Sequence, residues 1–178
     1  MSETESSKNW FARRAEAEAK KDIISFSERV GNIVGVVIGV LFVWYFVAHQ
    51  TGSTGFFTSE FGTLEALLFY GSIMFGIVSA AFRGLFGRKN IARLVDIFEA
   101  IFAAVAIAWL FVVFPFDFAH LADVLPDFLR FLLQWISNDI AKALMVLGII
   151  VSLVMTVYTA IFYVLVRREL SKPTLKTA

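Results

Sequence analysis

The feature that most limits what this chain can fold into is the run at residues 90–115, NIARLVDIFEAIFAAVAIAWLFVVFP, which opens on charged groups and then stays apolar for the width of a bilayer. At about 1.5 Å of rise per residue, residues 90–114 make a helix of roughly 37 Å, set against a hydrocarbon core of about 30 Å. The apolar part crosses, and the charged start stays among the headgroups. Three further blocks, 30–48, 64–86 and 143–166, have the same character. The predicted fold class is an all-α integral membrane protein with four transmembrane helices and interfacial amphipathic helices. Its divisions are a cytoplasmic arm and juxtamembrane helix at 1–29, a membrane domain at 30–166 that includes an outer interfacial segment at 117–139, and a cytoplasmic tail at 167–178.

Composition agrees with a lipid solvent: 58% of the 178 residues are apolar and 17% charged, with the apolar ones gathered into long blocks. Cysteine is absent, which excludes disulfides, thiolate metal sites and a cysteine nucleophile. The first apolar block follows a long polar stretch, is long enough to span and lacks a small-residue processing site. It is therefore read as a span and not as a cleavable leader.

Basic residues are segregated along the chain. Lys8, Arg13, Arg14, Lys20, Lys21 and Arg29 precede the first block; Arg83, Arg88, Lys89 and Arg93 surround the second connection; Arg167, Arg168, Lys172 and Lys176 follow the last block. Only Arg130 and Lys142 remain for the other side. This bias predicts both termini and Gly87 in the cytoplasm, with Thr58 and Ala122 opposite, in a cell inner or plasma membrane.

Before the first span, residues 9–30 read as one juxtamembrane helix, with Glu16 and Lys20 spaced for an i,i+4 pair. After Pro115 the chain does not turn back at once. Residues 127–136 mix apolar and charged groups and predict a short helix on the outer interface, opened by Pro126, with Ser137, Asn138 or Asp139 capping the fourth span.

Small residues mark the expected packing faces. Gly31, Gly35 and Gly39 repeat every four residues on one stripe of the first span, Gly71 and Gly76 lie in the second with Ser72 and Ser79, and Gly148 lies in the fourth. Such stripes let helix backbones approach closely within one chain, in a homo-oligomer or against other membrane subunits.

Two constellations carry possible chemistry. Asp96 and Glu99, three residues apart near the start of the third span with Arg93 one step before them, suit either an acidic, hydrated mouth that concentrates cations or protons, or a charged helix terminus meeting the headgroups. His49 and His120 both fall toward the outer side and are weak metal candidates, with Asp117 or Asp123 able to complete a site if the helices converge. No short metal motif fixes their geometry.

No nucleophile elbow or histidine-centred triad is present, and the fourth span lacks the arginine series of a voltage sensor. The basic residues serve topology and form no broad aromatic surface for nucleic acid. The expected function is that of a non-enzymatic structural or accessory subunit that packs within and stabilises a larger membrane assembly; the alternative is a small oligomeric cation or proton channel. No cofactor is predicted, and lipids are expected as solvent and interfacial contacts.

Overall fold

The computed structural model describes residues 10–20, 24–86 and 89–171. In chain order these form α1 (Trp10–Lys20), α2 (Phe26–Thr51), α3 (Thr63–Phe86), α4 (Lys89–Val113) and α5 (Asn138–Leu170), with 3-10 turns at Phe118–His120 and Asp127–Leu132. Helices α2 to α5 are each long and apolar enough to cross a membrane. The chain is thus an all-α, multi-span integral membrane protein. Helices are the fitting solution because a spanning segment must satisfy its backbone N–H and C=O groups internally.

Local capping sets where the helices begin. The expected continuous helix over 9–30 is two helices. Ser25 starts α2 with a capping box, its backbone N–H donating to Glu28 Oε2 at 2.8 Å while its hydroxyl accepts from the Glu28 N–H. That exchange holds Ser25 in an extended conformation and breaks the helix there. At the other end of the chain, Ser137 accepts from the Ile140 N–H, so α5 begins five residues before the apolar block at 143. The helix also continues through Arg167 and Arg168, which the sequence reading assigned to the tail.

The spans form an open row. α2 packs on α3, α3 on α4 and α4 most extensively on α5, while α1 returns to lie on α5. α2 and α5 are not among the packed pairs. The row therefore leaves an apolar cleft of about 600 Å³ between Ile38, Leu41 and Phe42 of α2 and Leu125, Leu132 and Ile136 of the long connection.

At one end, α1 seats Ala15 and Ala19 on Phe162 and Val166, all four buried. Alanines suit this seat because they let the α1 backbone come close to α5. At the other end the connections 52–62 and 114–137 close over the bundle as an aromatic cap. Phe56, Leu110, Phe116 and Leu121 are buried at its centre, ringed by further aromatics including Tyr45, Phe46 and Phe69. The two connections also join through their backbones: the Asp117 N–H donates to the Phe56 carbonyl at 2.7 Å and the Thr58 N–H to that of Pro115 at 3.1 Å.

Phe114 leaves α4 with φ +44°, a left-handed conformation that is unfavourable for a bulky side chain and rare before proline. The cap holds it there: its ring stacks on Phe118 and takes the Lys142 ammonium at 4.4 Å from the centroid. The long connection carries no α-helix over 127–136, where a short interfacial helix was expected. Asp127–Leu132 is a six-residue 3-10 turn that begins after Pro126, and the Trp135 indole N–H bonds the Leu132 carbonyl where it ends.

The arrangement makes a topological prediction. Ser59 and Asp127 lie at the capped end and Lys20 at the α1 end. In a chain with no native cysteine, an impermeant thiol reagent should label Ser59→Cys and Asp127→Cys from one face of sealed vesicles and Lys20→Cys from the other. Labelling of Ser59→Cys and Lys20→Cys from the same face would refute the four-span path. Gly87 lies outside the described residues, and Ala122 is only 4% exposed, so neither is a useful labelling position.

Candidate functional site

Polar groups gather at the α1 end, where α3 and α4 form an antiparallel hairpin. Ser79 lies seven residues before Phe86 and Asp96 seven after Lys89, so the hairpin sets them opposite each other. The Ser79 hydroxyl donates to Asp96 Oδ1 at 2.8 Å, and Arg83 Nη1 lies 3.6 Å from Asp96 Oδ2. One turn deeper, Glu99 meets Gly76: Glu99 Oε1 is 3.2 Å from where a Cβ on Gly76 would stand. The carboxylate occupies the space the glycine leaves. Both acids of the predicted pair therefore face α3.

Arg93 does not join them. Its Nη2 donates to Glu18 Oε2 of α1 at 2.8 Å, and its Nη1 reaches Asn90 Oδ1 at 3.5 Å. It links α1 to α4, so the i,i+3 series divides between two tasks. The hairpin seam continues to the capped end, where the Trp109 indole N–H donates to Glu65 Oε1 at 2.9 Å and the Gly62 N–H to Glu65 Oε2 at 3.1 Å.

Beside the charged cluster, the starts of α2 and α4 and the end of α3 line an open cavity of about 420 Å³. Glu28, Gly31, Asn32, Arg83, Arg93 and Asp96 line it. Two cations and two carboxylates balance, and the Arg83 Nε is buried with no hydrogen-bond partner.

The predicted packing glycines differ in what they meet. Gly39 is close against α3, with Ile77 Cγ1 2.5 Å from a Cβ position. Gly71 approaches Phe102 at 3.3 Å and Gly148 approaches Ile107 at 3.5 Å. Gly31 and Gly35 have nothing within 4 Å. Among the described residues, only the Gly39 part of the first-span stripe is used inside the chain.

The histidines are committed to the cap. His49 is 1% exposed, with Nε2 3.0 Å from the Leu121 carbonyl and Nδ1 2.6 Å from the Thr54 hydroxyl. A carbonyl only accepts, so Nε2 carries the proton, and in the neutral ring Nδ1 accepts from the Thr54 hydroxyl. Neither nitrogen is left for a metal. His120 pairs with Asp123 at 2.8 Å and lies against Gly55, whose φ of +95° suits glycine. Among the described residues no three His, Asp or Glu side chains are grouped to hold a metal ion.

The sequence reading did not include Glu18, Ser79 or Arg83 as partners of the cluster, or the bond from Tyr45 to the Leu121 carbonyl. Counting outward from the short α3–α4 turn would have found Ser79 opposite Asp96 and Gly76 opposite Glu99. No comparable rule reaches Glu18, which is 75 residues from Arg93. Compared with protein-family models, with curated proteins and with solved structures, the chain matches none.

Proposed function

We propose that this multi-span membrane protein is a non-enzymatic accessory subunit that packs against another membrane helix through the open half of the α2 glycine stripe. The carrying observation is the contrast along α2, where Gly39 is filled by Ile77 while Gly31 and Gly35 meet nothing within 4 Å. Lipid offers no hydrophobic drive for helix association, so close backbone approach along small residues is what holds helices together there. The exposed apolar flanks Val34 and Ile38 extend the same surface. We place both termini and the connection at 87–88 in the cytoplasm of an inner or plasma membrane, following the basic residues.

The channel alternative has less support. Asp96 is engaged by Ser79 and Arg83, and α4 is entirely Ala, Ile, Phe and Val over residues 100–108. From Glu99 to Trp109 the seam runs about 15 Å. On the facing helix, Ser72 spends its hydroxyl on the Phe69 carbonyl of its own turn.

Two substitutions test the accessory reading. Gly35→Leu should leave the unfolding midpoint of the isolated chain within about 0.5 kcal/mol of wild type, because it enters open space, yet reduce the native mass of the extracted complex. Gly39→Leu should instead destabilise the chain itself, by about 1–3 kcal/mol, as Ile77 is forced away. An unchanged complex mass for Gly35→Leu would reject the proposed surface.

A further inference from the structure

We propose that the cavity at the charged ends of α2, α3 and α4 binds the headgroup of a zwitterionic aminophospholipid, with its phosphate on the Arg83 guanidinium. Its level in the bilayer is the first argument. Arg83 lies in the last turn of α3 and Glu28 in the first turn of α2, so the cavity stands where the phosphates of the adjacent leaflet lie.

Unused hydrogen-bonding capacity is the second. Arg93 is held by Glu18 and Asn90, whereas Arg83 meets Asp96 through Nη1 at 3.6 Å and keeps a side chain that is 36% exposed. The outer edge of a guanidinium matches two phosphate oxygens. Gly31 lines the cavity without adding a side chain to it, and nothing lies within 4 Å of its Cβ position.

Charge balance selects the headgroup. Arg83 and Arg93 are offset by Glu28 and Asp96, so a purely anionic group gains little from the lining as a whole. A headgroup carrying both a phosphate and a primary ammonium fits both signs. Its N–H groups can donate to the carboxylates, which the quaternary ammonium of choline cannot do. This inference rests on the cavity, which shares Gly31 with the open stripe, so Gly35→Leu, at a stripe position outside the cavity, is what separates it from the accessory role.

The test is lipid retention by the purified full chain, exchanged into micelles with equal amounts of phosphatidylethanolamine, phosphatidylcholine and phosphatidylglycerol and weighed by native mass spectrometry. Wild type should retain phosphatidylethanolamine about tenfold over the other two. Arg83→Gln should abolish the preference. Gly31→Leu should abolish it too, by filling the cavity without changing charge, while helix content and melting stay at wild-type values. Gly35→Leu, outside the cavity, should keep the preference whatever it does to complex mass. Millimolar inorganic phosphate should not displace the lipid; displacement would mark a soluble-phosphate site and overturn the lipid assignment. Equal retention of the three lipids by wild type, or a preference surviving Gly31→Leu, would also overturn it.

Discussion

Replacing Phe56 by alanine should lower the stability of the isolated chain by about 3–5 kcal/mol, the cost of removing a fully packed aromatic side chain and leaving a cavity. Phe56 is 1% exposed and its ring meets those of Phe46, His49, Phe57, Phe116 and Phe118 at centroid distances of 4.9 to 5.6 Å. It is also the point where the two connections at the capped end join, since its carbonyl takes the Asp117 N–H. Few neighbours can collapse into the space, because Pro115 and His49 are themselves buried and held by backbone or side-chain bonds. The measurement is an equilibrium unfolding titration in mixed micelles, with Phe131→Ala as control. Phe131 belongs to the same end of the molecule but is 60% exposed, and its truncation should cost little. Equal midpoints for the two variants would refute a packed cap.

Ala15→Glu should release α1 from the bundle while leaving α2 to α5 in place. An eleven-residue helix is marginal on its own, so α1 depends on its docking. Ala15 is 1% exposed against Phe162 and Val166, and a glutamate there would put a carboxylate into an apolar seat without a partner. The opposing force is the Arg93–Glu18 pair, whose side chains are 16% and 31% exposed; a partly hydrated pair of this kind contributes on the order of 1 kcal/mol. The desolvation cost is larger, so undocking wins. Hydrogen exchange should show α1 amides losing protection, and trypsin should cut after Arg13, Arg14 and Lys20 faster than in wild type. Ala17→Glu, at an exposed position of the same helix, should change neither. If α1 protection in Ala15→Glu matched wild type, the seat on α5 would be wrong.

These expectations divide between what could be read along the chain and what could not. The spans were legible because each is one long helix whose apolar length must match the bilayer, a property of consecutive residues. Ser137 as a cap was legible for the same reason, since it acts on a backbone N–H three residues away. Ser79 and Asp96 stood one step further off, recoverable from a short hairpin turn and the 3.6-residue period.

Partners brought together by folding were not legible. Asp96, Glu99 and Arg93 share a helix face by spacing, yet Arg93 turns to Glu18 because α1 comes back over α4 and α5, and no local rule encodes that return. The glycine stripe has one period along α2, but whether each glycine is filled depends on which side chain stands opposite it: Ile77 of α3 fills Gly39, while among the described residues nothing comes within 4 Å of Gly31 or Gly35. His49 and His120 looked equivalent in sequence. Folding set Leu121 and Thr54 against both nitrogens of His49 and left His120 to pair with Asp123. The amino-acid sequence by itself determined the solvent, the four long helices and a cap for the last of them among residues 137–139, because those follow from burial length and near-neighbour hydrogen bonds, whereas the Ser25 break was not read. The tertiary structure alone decided which polar groups meet and which glycines stay open, because both depend on distances between segments far apart in the chain.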